Sequence, residues 1–457
     1  MLRSAFLYSA EILAVVMILL ALLHVRVPRY LLWGVVGYGI LVYAATNILD
    51  SRTAENLDST DLFQFWSAGR TIWQGGDPYS NPAILNPPTA VPLYALFAMT
   101  SLPTTAVIWF SLNALGGLLL VPLAYRTLSA VGAPDDWKLP SVVVGLLTVV
   151  VGLSFSFRYG AQVGQFSCLM TLALLAALLA RAKGRRALAG IFLAVATIKT
   201  GMLLPFLLLF HRRADWRSWG ALALAALALC LIATPAPKLL ERCGECLKNI
   251  SAFSERGAEN DYSYENVHNG YARHVDIFGL DHLLYRTGLR DRTVIRAANY
   301  GLLLVLGIWV ALQVIRRPDL PRGAAVSLVA LYSAVFLYHR LYDMIVLCLP
   351  LTYVLGRALA ERGRARLAYA LCAAAILSVL HLRTGMLLSL TGRYANSASL
   401  GGRLIEAFVL PYGTWLVLLA IICLTAAEAL RRPAVSPQRQ ARASGSPLLG
   451  AAGSRDL

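Results

Sequence analysis

Long apolar segments alternate with short polar connectors along most of the 457-residue chain. Apolar stretches of roughly 17–25 residues are long enough to cross the hydrocarbon core of a bilayer as helices. Such stretches occur near residues 8–25, 31–49, 106–127, 139–157, 166–182, 217–234, 294–315, 322–337, 341–357, 365–381 and 405–430. The pattern predicts an all-α polytopic membrane protein with about 11–13 transmembrane helices.

Short basic runs separate many of these segments and set their orientation. By the positive-inside rule, such runs beside membrane spans lie in the cytoplasm. The runs are Arg26 with Arg29, Arg126 with Lys138, Arg181 to Arg186, His211-Arg212-Arg213 with Arg217, Arg316-Arg317 with Arg322, Arg357 to Arg366, and Arg431-Arg432. All of them reach one side only if residues 88–102 form an interfacial or re-entrant half-helix. Residues 187–210 must then enter the bilayer and return, as two short helices broken around Lys199.

The same topology collects the remaining polar segments on the extracytoplasmic side. They include a first extracytoplasmic loop at 50–105 and a large extracytoplasmic loop at 235–292. Residues 1–432 then form a single integral-membrane domain. The Pro-, Ser- and Ala-rich segment 433–457 is predicted to be a disordered cytoplasmic tail.

Composition agrees with this topology. The chain is 58% hydrophobic and only 14% charged, whereas about a quarter of the residues of a soluble domain are charged. A net charge of +17 would suggest a nucleic-acid partner in a soluble protein. Here the basic residues lie in connectors between apolar segments, so we attribute the charge to topology and expect no nucleic-acid partner. Cys243 and Cys246 form a Cys-Gly-Glu-Cys pair, for which a disulfide or a metal site stays open.

The first extracytoplasmic loop holds the most suggestive carboxylate. Leu62, Phe65, Trp66 and further apolar residues follow Asp61 at helical spacing, which predicts a short interfacial helix. Asp61 lies just before this helix, in N-cap position. The residue therefore either caps the helix or supplies a carboxylate for chemistry beside the membrane.

Three further polar positions stand out within or between apolar segments. Lys199 interrupts an apolar run, where a charge either serves function or snorkels to the interface. His339 and Asp343 are spaced i,i+4 and share one helical turn with Arg340, so an active-site histidine and an interfacial histidine both fit. Gln165 follows a Gly-rich turn and can bind a sugar or headgroup, or simply cap a helix.

In their order along the chain, these features resemble the membrane glycosyltransferases of family 87, which are GT-C enzymes. The likeness includes the polyprenyl-phosphate-mannose-dependent mannosyltransferases. It covers most of 55–360 and is carried by Asp61-x-x-x-Phe65-Trp66, Gly75-Gly76-Asp77-Pro78-Tyr79, Pro87-Pro88, Gly164-Gln165, Ile198-Lys199, Arg212-Arg213 with Trp216, and the His339 region. Two departures are Asn86-Pro87-Pro88, where the family usually has Tyr-Pro-Pro, and Tyr338-His339-Arg340 in the late motif.

The resemblance implies a GT-C-like bundle and roles for individual residues. Asp61 matches the general base for the acceptor hydroxyl, Lys199 the residue that holds the lipid phosphate, and His339 a late histidine of the active site. We add further candidates around them. Arg158 and Arg340 are additional cations for the phosphate, and Gln165, Tyr79, Asp77 and Asp343 are candidate substrate-binding residues.

The predicted function is the transfer of a hexose, taken to be mannose, from a polyprenyl-phosphate sugar to a lipid or glycan acceptor. The reaction takes place on the extracytoplasmic face of a bacterial cell (inner) membrane and inverts the anomeric carbon. No cofactor is expected, and a requirement for a divalent metal stays open. The alternatives are a transporter or flippase of lipid-linked sugars and a GT-C enzyme that transfers another sugar such as arabinose.

Overall fold

The computed structural model describes residues 2–52, 57, 60–132, 138–263, 277–337, 339–382 and 400–431. These segments are almost entirely helical. Within them the one strand pair is antiparallel, with Ile277–Phe278 (β1) opposite His339–Arg340 (β2). The predicted all-α polytopic class is confirmed. The proposed tail 433–457 lies outside the described residues.

Nineteen α-helices lie in the described segments. In chain order they are α1 Leu2–Leu22, α2 Arg29–Arg52, α3 Asp61–Trp73, α4 Val91–Phe97, α5 Leu102–Ala130, α6 Ser141–Leu153, α7 Phe155–Val163, α8 Ser167–Ala182, α9 Arg186–Ala196, α10 Thr200–Phe206, α11 Trp216–Ala233, α12 Leu239–Phe253, α13 Leu280–Arg286, α14 Arg292–Arg316, α15 Arg322–Ser333, α16 Cys348–Ala360, α17 Gly363–His381, α18 Leu400–Leu404 and α19 Tyr412–Leu430. Short 3-10 turns join several of them, and the π-turn Ile405–Val409 follows α18.

Eight of the described helical segments are long and apolar enough to cross a membrane. The number is nine if α6 and α7, which meet at a 49° bend, are one span. The predicted figure of 11–13 also counted shorter segments. Among these, α8 has 16 residues and the buried helix α15 has 12.

The basic connectors lie at one end of the bundle. Arg181, at the end of α8, pairs with Asp215 at 2.8 Å, just before α11. Helices α5 and α8 run in the same direction, since Gly116 lies beside Cys168 and, further along both helices, Thr127 donates to the carbonyl of Leu175 at 3.2 Å. Gly132, which follows α5, in turn lies beside Arg322. We call this end the basic face and the opposite end the cavity face.

Residues Arg186–Phe210 enter the bundle from the basic face and return to it. The guanidinium of Arg181, one tight turn before the segment, lies 5.1 Å from the ring centroid of Phe210 and also pairs with Asp215 beyond it. A continuous helix of 25 residues would hold its ends about 36 Å apart. The chain therefore folds back at the turn Thr197–Lys199, as predicted, although length and hydropathy alone fit a single span.

The first loop forms two short helices that pack together on the cavity face. Residues Pro88–Phe97 form a 3-10 turn followed by α4, which is too short to span and confirms the predicted half-helix. The rings of Phe65 on α3 and Tyr94 on α4 stack at 5.2 Å. The expectation that Asp61 takes the N-cap position of α3 is wrong. Thr60 is the N-cap, and its hydroxyl accepts from the Phe63 amide at 3.3 Å.

A glycine pair tests the packing of the re-entrant segment against α11. A Cβ at Gly190 would lie 2.2 Å from the carbonyl oxygen of Ser218, whereas a Cβ at Gly220 meets nothing within 4 Å. We expect Gly190→Ala to destabilise the protein by about 1–3 kcal/mol through overpacking. Gly220→Ala should be neutral or stabilise by up to about 1 kcal/mol, because Ala is the better helix former.

The measurement is thermal unfolding of both purified variants in detergent, followed by tryptophan fluorescence. Equal unfolding temperatures for the two variants would contradict the close approach of α9 and α11.

Candidate functional site

A cavity of about 750 Å³ opens on the cavity face and brings together residues that are distant in the sequence. Its walls come from the start of α3, the Pro87-Pro88 loop, the end of α7, the break between α9 and α10, helix α12 and the segment after β2. Most of the predicted site residues line it, namely Asp61, Gln165, Lys199, His339, Arg340 and Asp343.

Asp61 stands at the first turn of α3, beside the turn that precedes α8. Gly164 in that turn has φ +86°, and a Cβ there would lie 2.7 Å from the backbone nitrogen of Leu62, so only glycine fits. The side-chain amide of Gln165 donates to the Asp61 carboxylate. Burial raises the pKa of Asp61 above its ordinary value, and the hydrogen bond from Gln165 opposes that rise.

Asp343 is the centre of the buried polar cluster on the other side of the cavity. Its Oδ1 accepts from Lys199 Nζ at 2.5 Å and from the hydroxyl of Ser167 at 2.6 Å. Its Oδ2 lies 3.4 Å from His339 Nδ1 and accepts from the backbone N–H of Arg340 at 3.3 Å. The carboxylate therefore fixes a lysine, a histidine and the backbone that follows the histidine.

Lys199 reaches the cavity because the re-entrant segment turns there. The residue ends the 3-10 turn Thr197–Lys199, and its ammonium lies 4.6 Å from the ring centroid of Tyr342. The first loop holds this turn in place. Asn86 donates to the carbonyl of Ile198 at 3.1 Å and accepts from the hydroxyl of Tyr94 at 2.9 Å.

His339 is 3% exposed and lies on the short strand β2. Its Nδ1 faces Asp343, whereas its buried Nε2 has no hydrogen-bond partner among the described residues. A Cβ built on Gly201 would lie 3.6 Å from the imidazole Cε1, so the ring is next to the backbone that follows Lys199. An ionised carboxylate only accepts hydrogen bonds, which assigns the proton to Nδ1 and directs Nε2 to a ligand.

Arg340 extends the site toward the large loop. Its guanidinium donates to the carbonyl of Glu259 at 3.2 Å and to the side-chain oxygen of Asn260 at 2.9 Å. The predicted long polar loop is partly helical, because α12 lies within it and forms one wall of the cavity. Asn249 on α12 donates to the carbonyls of Tyr79, Asn81 and Ile84, which holds the first loop against this wall.

Three predicted site residues do not line the cavity. Tyr79 is buried and donates to the carbonyl of Asn86 at 2.8 Å, so it shapes the first loop. Asp77 caps the turn that contains Tyr79 and lies 3.7 Å from Arg242 on α12. Arg158 is half-buried on α7 and is not a lining residue, although its neighbour Tyr159 is. Their predicted contact with substrate has no support in the cavity geometry.

The sequence pattern did not single out several residues that shape the cavity. Ser167 looks like an ordinary first residue of a membrane helix, yet it donates to Asp343. Asn260 is one of many polar residues in a long loop, and its contact with Arg340 depends on the fold. Leu247, Ile250 and Phe253 were also missed. They line the cavity from the side of α12 that carries Cys243 and Cys246, and the helical period of α12 was a usable signal for them.

Cys243 and Cys246 are free thiols in the structure. The Cys246 sulfur lies 3.4 Å from the carbonyl oxygen of Asn86, so it packs against the first loop. In the described part of the chain, no group of three or more His, Cys, Asp or Glu side chains is arranged to hold a metal ion. Two histidines of the large loop, His268 and His274, lie outside the described residues.

Exposed apolar side chains lie among the residues that line the cavity and form part of its rim. Leu204 on α10 is 40% exposed, Leu247 on α12 is 67% exposed, and Leu337 before β2 is 37% exposed. All three also line the cavity. A polar centre with an apolar rim suits a ligand that has both a charged group and a hydrocarbon chain.

These features define a multi-pass membrane protein with a polar site at one end of its helical bundle. The sequence profile of glycosyltransferase family 87 matches residues 85–338, more than half of the chain. The chain therefore belongs to glycosyltransferase family 87, and the predicted resemblance to this family is confirmed. Comparison with curated proteins finds no match for the chain.

Membership in this family makes the protein a glycosyltransferase, which acts on a sugar donor and an acceptor. The matched residues include Gln165 and Lys199. Asp61 precedes the match and His339 follows it directly. We assign both residues to the site because they line the shared cavity, and not because the family profile covers them.

Proposed function

We propose that the protein transfers mannose from a polyprenyl-phosphate donor to the hydroxyl of a lipid or glycan acceptor. The observation that carries this proposal is the single cavity that Asp61 and the cluster of Lys199, His339 and Asp343 line together. A glycosyl transfer needs a base for the acceptor and positive charge for the leaving phosphate in the same space. Mannose as the sugar rests on the motif resemblance.

The polar cluster around Lys199 supports binding of the donor phosphate. The Lys199 ammonium and the Nε2–H of His339 in its imidazolium form are the groups that meet the phosphate oxygens, since the neutral tautomer with its proton on Nδ1 only accepts at Nε2. Asp343 repels a second anion, so we infer that it orients these two groups from behind rather than contacting the phosphate. The exposed leucines at the rim provide an apolar surface along which the polyprenyl chain can remain in the membrane.

The position of Asp61 in the cavity and its burial support its role as the general base. The acceptor oxygen attacks the anomeric carbon, the bond from that carbon to the phosphate oxygen breaks, and the acceptor proton passes to the Asp61 carboxylate. The electron pair of the broken bond leaves with the polyprenyl phosphate. A single displacement from the side opposite the phosphate inverts the anomeric centre. A carboxylate whose pKa is raised by burial is a stronger base than an exposed one.

We place the cavity on the extracytoplasmic side of a bacterial cell membrane. The opposite end of the bundle carries the Arg-rich connectors, which the positive-inside rule assigns to the cytoplasm. A transporter of lipid-linked sugars would also use buried charges and a broken helix. The family match and the position of the cavity at one end of the bundle both favour an enzyme.

Replacement of the proposed base tests the chemistry. Asp61→Asn keeps a side chain that can bond Gln165, so we expect the fold to survive while turnover falls about 10²- to 10⁴-fold. The measurement is transfer from radiolabelled polyprenyl-phosphate mannose in purified, reconstituted protein. Asp77→Asn is the matched control, because Asp77 lies outside the cavity and Asn also caps turns well.

We expect the Asp77→Asn control to transfer at near the wild-type rate. If Asp61→Asn also turned over normally, Asp61 would be a structural residue and the proposed base would be wrong.

Replacement of the lysine tests donor binding. Lys199→Gln removes a charged donor of hydrogen bonds, so we expect the KM for the lipid donor to rise about 10- to 100-fold. The exposed Lys248 on α12 offers the same substitution outside the cavity, and Lys248→Gln should leave the KM unchanged. A Lys199→Gln enzyme with an unaltered donor KM and normal stability would rule out phosphate binding by Lys199.

Cysteine accessibility tests the orientation. Lys248→Cys marks the cavity face and Lys183→Cys marks the basic face, in a background where the partly exposed Cys230, Cys243 and Cys423 are serine. We expect an impermeant maleimide to label only Lys248→Cys in intact cells and to label Lys183→Cys after permeabilisation. The opposite pattern would place the cavity in the cytoplasm.

A further inference from the structure

One tripeptide, Gln165-Phe166-Ser167, contacts both carboxylates of the site, Asp61 and Asp343. Gln165 donates to the Asp61 carboxylate, and Ser167 donates to Asp343 Oδ1 at 2.6 Å. The two donors are separated by a single residue, Phe166, just as the chain enters α8. The base and the phosphate-binding cluster are thus held from adjacent positions of one short segment.

The residue between the two donors anchors the segment in the protein core. Phe166 is fully buried, and its ring stacks on Phe65 at 4.7 Å and meets Trp109 edge-on at 5.4 Å. Phe65 lies one turn beyond Asp61 on α3, so the same ring also packs against the helix that carries the base. Buried aromatic pairs of this kind add stabilisation beyond their area and fix relative orientation.

The preceding turn completes the contact with α3. Gly164 adopts a left-handed conformation and approaches Leu62 so closely that no side chain fits between them. Residues 164–167 therefore hold the start of α3 through backbone contact, through an aromatic ring and through the hydrogen bond of Gln165. A side chain that donates to a protein carboxylate can position that carboxylate, which is a different role from the substrate contact expected for Gln165 from the sequence.

We infer that Gln165 and Ser167 are positioning residues that set the placement of the base relative to the phosphate-binding groups. This inference rests on the proposed function, because it assigns a reaction to the site. Gln165 holds one carboxylate oxygen of Asp61 and leaves the other for the acceptor hydroxyl. Ser167 holds Asp343, which in turn directs Lys199 and His339.

The hydrogen bond from Gln165 has a consequence that a purely structural contact would lack. The charged groups that face Asp61 are Lys199, Arg340 and Glu259. The Gln165 amide adds a donor that favours the ionised form and so lowers the pKa that burial has raised. Loss of this donor must move the protonation of Asp61 to higher pH, whereas the other three charges stay in place.

The test compares Gln165→Leu and Gln165→Glu with Gln64→Glu. Gln165→Leu removes the donor, and Gln165→Glu keeps the shape but places a second carboxyl group against Asp61. Gln64 lines the same cavity from α3, so Gln64→Glu adds an equal charge at a position with no such contact. The readouts are kcat, the KM values for both substrates and the acid limb of the pH–rate profile.

For Gln165→Leu we expect kcat to fall about tenfold, with nearly unchanged KM values and an acid limb shifted to higher pH. Gln165→Glu should shift the limb further, because two adjacent carboxyl groups resist joint ionisation. Gln64→Glu should shift it less than Gln165→Glu. A raised acceptor KM with an unmoved limb for Gln165→Leu would overturn the positioning role and assign Gln165 to the substrate.

Ser167→Ala tests the other half of the segment. We expect the donor KM to rise while the acid limb of the profile stays where it is, because Ser167 acts through Asp343 and not through Asp61. Ser167→Thr keeps the hydroxyl and should restore part of the donor affinity. A shifted acid limb in Ser167→Ala would contradict this division of roles.

A second measurement needs no turnover and separates this inference from the proposed function. Dicyclohexylcarbodiimide modifies protonated carboxyl groups in apolar surroundings, and mass spectrometry of the Asp61 peptide follows the modification as pH rises. In Gln165→Leu the modification should persist to higher pH than in the wild type. An identical pH dependence of the modification in the variant and the wild type would contradict the positioning role, even if transfer activity is established. A shift of that pH dependence in a protein without any sugar transfer would contradict only the proposed function.

Discussion

The ion pair between Lys199 and Asp343 is the interaction on which the rest of the site depends. Both side chains are almost buried, with 12% and 9% of their surfaces exposed. Removal of two charges from water costs several kcal/mol per ion, and the attraction between them offsets this only when further hydrogen bonds satisfy the carboxylate. Ser167 and the backbone of Arg340 provide such bonds. The ion pair is therefore weak evidence for the stability of the fold. It does keep a charged lysine at the cavity, where a ligand can contact it.

The position of that pair depends in turn on the re-entrant segment. A helix that turns back within the bundle leaves backbone carbonyls without helical partners, and these need donors where no water is present. The amide of Asn86 supplies one at Ile198, and the hydroxyl of Thr197 bonds both Thr89 and the carbonyl of Ala194. The first loop thus stabilises the break that presents Lys199. Its Asn86-Pro87-Pro88 sequence serves this contact directly.

Periodicity and charge were enough to predict most of the fold, because lipid forces the spans to be helical and the basic connectors fix their direction. The turn at Lys199 followed from the same reasoning, since the basic runs on both sides of 187–210 allowed no other path. The capping residue was misjudged by one position, as Thr60 and Asp61 both suit a helix start and only backbone geometry separates them.

Assembly of the site was predictable only in part. Asp61, Lys199 and His339 were conspicuous because polar groups are costly in apolar surroundings. Tyr79 and Asp77 were equally conspicuous, yet their polar atoms bond within the first loop and to α12. No local pattern distinguishes a polar residue that faces a cavity from one that closes a loop, because the difference depends on contacts across more than a hundred residues of chain. Ser167 was missed for the same reason, since its partner Asp343 is distant in the sequence.

The division of the cavity into a polar centre and an apolar rim explains how one site can serve two unlike substrates. In the proposed reaction, donor and acceptor both reach Asp61 and Lys199, and the lipid-linked donor arrives from within the bilayer. Leu204 on the re-entrant segment and Leu247 on α12 line the cavity and are exposed, so we place the route of the donor beside them. Glu259 and Asn260, which Arg340 holds, add polar groups to the lining of the same cavity. In the proposed function, an apolar rim for the hydrocarbon chain and a polar lining for the sugar and the acceptor let transfer proceed while the donor lipid stays in the membrane.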